Sequence, residues 1–519
     1  MRSRRIVVLL SIVFALLTLI PYLAVYGNAG AFRFSGFLFN PSDAASYLAK
    51  MRQGYDGQWL YTMAFTEEPG QGALLFPWYL LLGHLAWIFR LPLIVVWQIA
   101  RLAGVTAFLV VAWEFFGRLA YSPRARAIAW GITALGSGFG FAAIITGTFT
   151  SDLWVAEYIP YLGMITSAHF PLVTALLLLL IMRIALPARK PGIIQLVTPA
   201  AIGTLLGALQ PFAILPVGLA LAVWIIWRRA ADGRFPEGAI AGLIAAGAGM
   251  LPWVVYDFWV TQTLPNFASW FAQNQTPTPP VWDVALSLGL PGLIVAIAFG
   301  RWLLAPGGVR ERIRSVPPST LLLGLWLAVN LILLYAPFSL QRRLMLGMWI
   351  PLAALAAPKI EAWLFRPAAS AARVLLTAVS LVLTNLIFLA VIFSAGLGHN
   401  PALFLSCDEA AAVDWLNANA RGSVVLAPPE LSLWLPGMAG VRVVYGHPME
   451  TPHAENALQD VDTFFQPAAA DVQIKILQEH KVNWIVCTES EPACIPPDNG
   501  GLVQVFASGQ VRVLAVRVR

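Results

Sequence analysis

Charged residues are scarce in this chain of 519 residues: Asp, Glu, Lys and Arg together make up only 11% of it. Soluble domains contain about 25% of these residues, whereas 59% of this chain is hydrophobic, so most of its surface must face lipid. The composition therefore excludes an ordinary soluble protein and predicts a multi-spanning α-helical membrane protein. The net charge of +7 is then explained by basic residues in cytoplasmic loops, and no nucleic-acid partner is expected.

Cysteine is rare too, and the three cysteines, Cys407, Cys487 and Cys494, match no metal-binding spacing. Cys487 and Cys494 are candidates for a disulfide in an oxidising compartment, but two unpaired thiols explain them equally well. The sequence also lacks internal repeats, low-complexity tracts and a glycine-rich phosphate-binding loop. These absences argue against a repeat protein and against a nucleotide-binding domain.

Long hydrophobic runs, in contrast, are abundant, and they predict eleven membrane spans of about 20 residues each. The run at 73–91 is assigned instead to a hydrophobic helix at the outer membrane interface. The run at 193–227 is too long for one helix, and Gln210-Pro211 divides it into two short spans. The other predicted spans are 6–27, 97–117, 127–147, 169–186, 237–256, 283–304, 319–336, 344–358 and 371–394.

The basic clusters set the orientation, because such residues collect on the cytoplasmic side of membrane proteins. Arg2, Arg4 and Arg5 precede the first run, and further clusters occur at 118–126, 183–190, 228–234 and 310–314. We therefore expect a multi-pass protein of the cytoplasmic (plasma) membrane with its N-terminus inside and its C-terminal part outside. A cleaved signal peptide is the alternative, but the first run exceeds the usual signal core of about 7–15 residues.

The composition changes near residue 395, where short β-branched segments begin to alternate with helical ones. Such alternation predicts a small α/β domain. The chain thus divides into a transmembrane domain, 1–394, with a large first outer loop at 28–95, and an extracytoplasmic α/β domain, 395–519. Within the latter we predict helices at 408–420 and 471–480, strands at 423–427, 441–445 and 483–488, and a hairpin at 502–519.

Asp43 opens the polar part of the first outer loop, in Pro-Ser-Asp-Ala-Ala-Ser-Tyr. Carboxylates are costly near hydrocarbon and tend to mark function where membrane proteins carry them. Asp43 is therefore a candidate catalytic base or metal ligand. The alternative is that it caps the helical run that follows, since Asp is a good N-cap residue. Glu67 and Glu68, later in the loop, are interpreted mainly as solvated acids.

The second outer loop, 148–169, supplies further candidate ligands. Asp152, Glu157 and His169 lie in this loop or at its end, and together with Asp43 they predict a divalent-metal site. Carboxylate-rich ligation suits Mg²⁺ or Mn²⁺. The alternative is that Asp152 and Glu157 are ordinary loop acids and that His169 caps a helix.

Arg342 and Arg343 lie on the outer side in the predicted topology, against the positive-inside tendency. They follow a proline-interrupted span and begin a short one, so we expect them at an outer pocket, where a guanidinium is suited to bind phosphate. Snorkelling towards lipid headgroups is the alternative. Arg101, near the outer end of the second span, either joins this phosphate site or pairs with an acid.

Together these residues resemble the superfamily of integral membrane glycosyltransferases with the GT-C fold, which use polyprenyl-phosphate-linked sugars. The resemblance covers residues 1–395 and rests on Asp43, on Leu75-Phe76-Pro77-Trp78-Tyr79-Leu80 and on Ile99-Ala100-Arg101-Leu102. In that superfamily the first-loop Asp is catalytic or binds metal, which implies this role for Asp43. The second-loop acids are often separated by one residue, whereas Asp152 and Glu157 are five apart.

The resemblance implies an inverting hexosyl or pentosyl transfer from a polyprenyl-phosphate carrier to a lipid, glycan or protein acceptor at the outer face. Asp43 would activate the acceptor, and arginines would stabilise the leaving lipid phosphate. A transporter or flippase of lipid-linked saccharides stays open, because Gln210-Pro211 and Ala336-Pro337 are typical of broken spans. A non-catalytic assembly protein also stays open. The concentration of charge in outer loops and the lack of an inverted repeat favour the enzyme.

Overall fold

The computed structural model of this protein describes residues 2–187, 194–337, 339–366, 370–466, 469–488 and 501–517. The chain forms two compact units. The first comprises Met1–Leu19, Ile99–Val255 and Thr276–Val391, and the second comprises Ile20–Gln98, Tyr256–Gln275 and Ile392–Arg519. The second unit thus contains residues of the predicted first outer loop as well as those after 395, so the division of the chain at residue 394 stays a prediction.

Helices make up most of the described chain. Up to residue 232 they are Arg2–Leu17, Ile20–Gly27, Pro41–Tyr55, Pro77–Phe89, Leu93–Gly117, Pro123–Leu135, Gly140–Ala143, Ser151–Trp154, Pro160–Thr166, Phe170–Ile184, Ile194–Leu209 and Ile214–Asp232. Those that follow are Glu237–Thr263, Pro265–Gln273, Val281–Ser287, Gly289–Leu303, Val309–Ser315, Pro318–Leu333, Trp349–Leu364, Ala371–Leu397, Cys407–Asn419, Pro429–Ser432, Leu435–Ala439, Ala454–Phe465 and Ala470–Glu479. Short 3-10 turns occur at Ile144–Thr146, Pro211–Ala213 and Gln341–Met345.

Among the described residues, six helices are long and apolar enough to cross a membrane, and three bent helix pairs raise this number to as many as nine. The chain is therefore a multi-pass membrane protein. The predicted total of eleven spans also counts two shorter apolar helices, Phe170–Ile184 and Leu196–Leu209, so it stays a prediction. The expected break at Gln210-Pro211 is present, because one helix ends at Leu209 and a 3-10 turn begins at Pro211.

Helices of the first unit pack closely at positions that are occupied by glycine. A Cβ added to Gly203 would lie 2.0 Å from the carbonyl oxygen of Ala246, and one added to Gly249 would lie 2.1 Å from that of Ala200. Small residues at helix contacts are a usual means of packing within membranes, where burial of apolar surface does not drive association.

The second unit contains a mixed five-stranded sheet. In chain order the strands are β1 (Arg33–Phe34), β2 (Phe404–Leu405), β3 (Val424–Leu426), β4 (Arg442–Val443), β5 (Trp484–Cys487), β6 (Leu502–Ser508) and β7 (Val511–Val516). The sheet has the order β4-β3-β5-β7-β6, with β3 parallel to β4 and β5, and with β7 antiparallel to β5 and β6. β1 and β2 form a separate antiparallel pair.

The predicted elements after residue 395 correspond closely to these strands and their helices. The helix expected at 408–420 is Cys407–Asn419, and Ser406 forms a capping box with Glu409 at its start. The predicted hairpin at 502–519 turns between Ser508 and Val511. Cys487 is disulfide-bonded; Cys494, its predicted partner, lies outside the described residues.

Two helices of the second unit, Pro41–Tyr55 and Pro77–Phe89, approach each other backbone to backbone. A Cβ on Gly54 would lie 2.1 Å from the carbonyl oxygen of Leu80, and one on Gly83 would lie 2.0 Å from that of Met51. No side chain fits at either position without moving a helix. The helix that begins near Asp43 is therefore fixed along its second half by its neighbour.

We expect Gly83→Ala to destabilise the protein by about 1–3 kcal/mol or more, because overpacking at a backbone contact outweighs the gain of about 0.5–1 kcal/mol that Ala brings to a helix interior. Gly131→Ala is the matched control, since Gly131 is helical and has nothing within 4 Å of the added Cβ. Thermal unfolding in detergent should show a lower Tm for Gly83→Ala alone. Equal Tm values for both variants would contradict the packing described here.

Candidate functional site

Asp43 lies in the first turn of the helix Pro41–Tyr55, at the third position. It is not the N-cap residue: Asn40 is, in a left-handed conformation with φ of 46°, and its side chain accepts a hydrogen bond from the Asp43 backbone NH. The Asn40 amide in turn donates to the Asp43 carboxylate. The capping interpretation of Asp43 is thus wrong, and its carboxylate is exposed at a positive helix end.

Ser46 and Lys50 share the helix face of Asp43, because they follow it by three and seven residues. Both are buried. The Lys50 ammonium lies 2.6 Å from the Glu450 carboxylate, and Ser46 donates to the same oxygen while accepting from Lys50. Tyr61 donates to the other Glu450 oxygen at 2.9 Å. This cluster, which we call the Lys50–Glu450 network, ties the Asp43 helix to the loop around residue 450.

The loop that carries Glu450 is itself ordered by His447. The Nδ1 atom of His447 accepts hydrogen bonds from the backbone NH groups of Met449 and Glu450, each at 3.0 Å. Thr451 accepts from the His447 backbone NH. Burial lowers the pKa of His447, so the ring is neutral at pH 7 with its proton on Nε2. The loop therefore holds the Glu450 carboxylate in place without a second positive charge.

Glu67 is largely buried and paired, whereas Glu68 is an acid whose side chain is 69% exposed. Glu67 lies 2.8 Å from His480 Nδ1, and Asp460 lies 3.0 Å from His480 Nε2. These hydrogen bonds raise the pKa of His480 to about 8. Glu68 forms an ion pair with Lys481. All of these residues belong to the second unit, so the first outer loop is pinned to the segment around residue 480.

Asp152 occupies a different environment, in the first unit. Its carboxylate accepts hydrogen bonds from Thr150 Oγ1 at 2.7 Å, from the Gly140 backbone NH at 2.9 Å and from Ser287 Oγ at 3.2 Å. The side chain is fully buried, and burial raises its pKa above the usual value. Asp283 lies beside it and accepts from Ser151. These contacts join three segments of backbone.

The other predicted ligands of the second loop are not gathered around Asp152. Glu157 is half-buried in a turn, and His169 is buried with its Nδ1 atom 2.9 Å from Ser167 Oγ. In the part of the chain that the structure describes, no group of three or more His, Cys, Asp or Glu side chains could hold a metal ion. His169 does immediately precede the helix Phe170–Ile184, but its side chain makes no capping hydrogen bond.

Arg342 and Arg343 lie in the 3-10 turn Gln341–Met345 of the first unit, and both are half-buried. The Arg342 guanidinium lies 4.7 Å from the ring centre of Trp154, and that of Arg343 lies 5.6 Å from Phe212. The Arg342 backbone NH donates to the carbonyl of Thr276 at 3.0 Å. The Nε atom of Arg342 is buried without a hydrogen-bond partner among the described residues.

Arg101 is completely buried in the first unit. It donates to Thr18 Oγ1 at 2.8 Å and to the carbonyl oxygen of Met164 at 2.9 Å. The guanidinium thus ties its own helix, Leu93–Gly117, to the turn at Thr18 and to the helix Pro160–Thr166, so the geometry favours a structural role. Its assignment to the phosphate site stays a prediction.

Sequence reasoning missed the Lys50–Glu450 network and His447. One sequence signal of such a network is a lysine on a helix made mainly of small and apolar residues, because an isolated buried charge requires a partner. The partner itself could not be named, since Glu450 is 400 residues away in sequence.

Comparison with known proteins supports the fold assignment. No protein-family model matches the sequence, and no curated protein does either. Two crystal structures of the oligosaccharyltransferase from Archaeoglobus fulgidus are similar. One, tethered to an acceptor peptide with the NVT sequon, has a TM-score of 0.53 at 14% identity, over 94% of this chain and 69% of that chain. The other, in complex with Zn and sulfate, has a TM-score of 0.51 at 13% identity, over 92% and 67%.

The arabinofuranosyltransferase AftD from Mycobacteria also matches, with a TM-score of 0.43 at 14% identity, over 94% of this chain and 41% of that chain. The fold follows from the two archaeal structures. They cover nearly the whole of this chain and belong to a GT-C glycosyltransferase. The chain therefore has the GT-C fold of integral membrane glycosyltransferases.

Proposed function

We propose that this protein is a membrane glycosyltransferase that moves a sugar from a polyprenyl-phosphate carrier to an acceptor at the outer face of the membrane. The observation that carries the proposal is the exposed carboxylate of Asp43, held in the first turn of a helix that a buried ion pair and a backbone contact keep in place. One fold supports many functions. The likeness to the oligosaccharyltransferase therefore supports the proposed activity only in combination with the Asp43 site.

In the proposed reaction Asp43 accepts the proton of an acceptor hydroxyl or amide as its oxygen or nitrogen attacks the anomeric carbon. The bond between that carbon and the phosphate oxygen breaks, and its electron pair leaves with the lipid phosphate. Attack opposite the leaving group inverts the anomeric configuration. A carboxylate used in this way typically accelerates a reaction by about 10²–10⁴-fold.

The role of a divalent metal is a separate question. The fold is one for which a metal is plausible, as the Zn complex of the archaeal protein indicates. The oxygens of Asp152, however, are used by Thr150, Gly140 and Ser287, and no metal-binding group occurs in the described ranges. These residues do not fit a metal as they stand, so no step here passes through Mg²⁺ or Mn²⁺, and the Asp43, Asp152, Glu157 and His169 ligand set remains a prediction.

The direct test is to incubate the purified protein in detergent with a panel of polyprenyl-phosphate sugars and candidate acceptors, and to measure released lipid phosphate and glycosylated acceptor. Release that depends on the acceptor supports the enzyme. A flippase would move labelled lipid-linked sugar across a vesicle without releasing lipid phosphate, and an assembly protein would do neither. Repeating the assay with EDTA and then with added Mg²⁺ or Mn²⁺ tests the metal prediction.

Arg342 and Arg343 are proposed to bind the phosphate of the donor. Replacing either with Ala should weaken donor binding or turnover by roughly tenfold to a hundredfold, as expected for a charge-assisted hydrogen bond worth about 1.5–3 kcal/mol. Lys should rescue only in part, because it supplies a point charge and not a planar fork. Isothermal titration with the active donor, together with KM and kcat, measures the effect.

Arg314→Ala is the matched control for these variants, since Arg314 is an exposed arginine of the same unit. Its donor affinity should equal that of the unmodified protein. Normal binding and turnover in the double variant Arg342→Ala/Arg343→Ala would instead identify the two residues as anchors at the membrane interface.

A further inference from the structure

The second unit contains a cavity of about 950 Å³, within the size range of small-molecule sites. It lies against the face of the helix Pro41–Tyr55 that carries Leu48, Arg52 and Tyr55. That face is opposite to the one with Asp43, because these residues follow Asp43 by five, nine and twelve positions at about 100° each. The cavity is thus separate from the proposed catalytic face.

Four arginines line this cavity: Arg33, Arg52, Arg90 and Arg421. No carboxylate is among the described lining residues. Two acids nearby compensate part of the charge. Asp414 forms a bidentate pair with Arg33, and Asp56 lies 2.9 Å from Arg52 and 3.9 Å from Arg421.

The excess charge is concentrated on Arg90 and Arg421. The Arg90 side chain is exposed and has no ion-pair or hydrogen-bond partner in the described ranges. Arg421 is exposed too; its Nε atom donates to the carbonyl oxygen of Asn417 at 2.8 Å, and its ion pair with Asp56 is long, at 3.9 Å. Four guanidinium groups against two carboxylates leave two positive charges uncompensated. A planar guanidinium binds phosphate oxygens in pairs, so the polar side of the cavity is suited to a phosphate.

The cavity also has apolar lining residues, and these lie where spans end. Tyr26 belongs to the last turn of the candidate span Arg4–Gly27, and Ile94 to the first turn of the candidate span Leu93–Gly117. Trp87 and Ile88, which also line the cavity, are 62% and 58% exposed. An exposed Trp next to the ends of spans is typical of the membrane interface.

We propose that this cavity binds the phosphorylated head of an amphiphile, with the phosphate on Arg90 and Arg421 and the first part of the hydrocarbon chain against Trp87, Ile88 and Ile94. The same chemistry is offered by an anionic phospholipid of the bilayer and by a polyprenyl phosphate. The site goes beyond the proposed transfer reaction and does not depend on it, because it uses neither Asp43 nor Arg342 and Arg343.

The test measures binding by the full-length protein in phosphatidylcholine nanodiscs, by native mass spectrometry and by competition with a fluorescent polyprenyl phosphate. The probes are polyprenyl phosphate, phosphatidylglycerol and inorganic phosphate. Arg90→Ala and Arg421→Ala should each weaken binding of the anionic amphiphiles by at least tenfold. The control is Arg512→Ala, an exposed arginine of the same unit outside the cavity.

A stronger affinity for polyprenyl phosphate than for phosphatidylglycerol would identify a carrier-lipid site, and the reverse a structural-lipid site; either result supports the proposal. Equal affinity of the two alanine variants and Arg512→Ala would overturn it, as would binding of phosphatidylcholine as tight as that of the anionic lipids. The test measures lipid binding and involves no sugar transfer, so it shares no readout with the transferase assay. Failure of this site is therefore distinguishable from failure of the glycosyltransferase proposal.

Discussion

Asp43→Asn is expected to reduce sugar transfer by about 10²–10⁴-fold, the contribution typical of a positioned general base. The amide keeps the size of the side chain and its contact with Asn40 but cannot accept the proton of the acceptor. The loss should appear in kcat, because the carboxylate acts on the reacting atoms and not on the lipid carrier. Released lipid phosphate under donor and acceptor saturation measures it.

Asp471→Asn is the matched control, since Asp471 is also an exposed acid in the first turn of a helix of the second unit. Both substitutions remove a negative charge near a positive helix end and should cost about 0.3–1 kcal/mol of stability. Only Asp43→Asn should lose turnover. An Asp43→Asn variant that is folded and fully active would exclude Asp43 as the base. The flippase and the assembly protein would then be the functional hypotheses that remain for this fold.

Those features of the fold that follow from local chemistry were predictable from sequence. Gln210-Pro211 breaks a helix because proline lacks the donor and clashes with the preceding turn, and the structure has that break. The strand Trp484–Cys487 lies within the segment 483–488 that was predicted as one of the short β-branched strands. The hairpin through Ser508 and Gly509 follows from a left-handed glycine, with φ of 49°.

Features that depend on contacts between distant segments were not predictable. The N-cap role was the alternative interpretation of Asp43, yet Asn40 adopts the left-handed conformation and caps the helix three residues earlier. Glu67 was interpreted mainly as a solvated acid because the residues near it in sequence do not indicate its partner His480, which is 413 residues away. The metal site predicted from the acids and the histidine of the second outer loop stays a prediction, but the sequence could not indicate that the Asp152 oxygens accept hydrogen bonds from the Gly140 backbone and the Ser287 hydroxyl.

The second large effect is expected from the Lys50–Glu450 network. Glu450→Gln leaves the buried Lys50 ammonium without its counter-charge, and breaking a buried ion pair in this way typically costs about 3–5 kcal/mol. The double variant Lys50→Met/Glu450→Gln removes the uncompensated charge and should recover much of that loss. Denaturant unfolding of four proteins, the unmodified one, Glu450→Gln, Lys50→Met and the double variant, gives the coupling energy as a double-mutant cycle.

The exposed pair of Lys475 and Glu479 provides the control, because its side chains are 71% and 57% exposed and lie 3.6 Å apart. Glu479→Gln should cost less than about 1 kcal/mol. A similar small cost for Glu450→Gln would contradict the burial and pairing described for the network. Since the network anchors the helix of Asp43, Glu450→Gln should also lower turnover, whereas the double variant should regain part of it.

The network also makes stability depend on pH. Burial alone raises the pKa of Glu450, but the charge of Lys50, the charge that His447 gains at low pH and the hydrogen bonds from Lys50 and Ser46 outweigh it and lower the pKa to about 2. An unfolded chain protonates this carboxylate near its usual pKa of 4.5. The contribution of Glu450 is thus complete above about pH 4.5 and is lost as the pH falls towards 2. Over that interval the unfolding free energy of the unmodified protein should fall more steeply than that of Glu450→Gln; parallel curves would show that Glu450 is not ionised in the folded state.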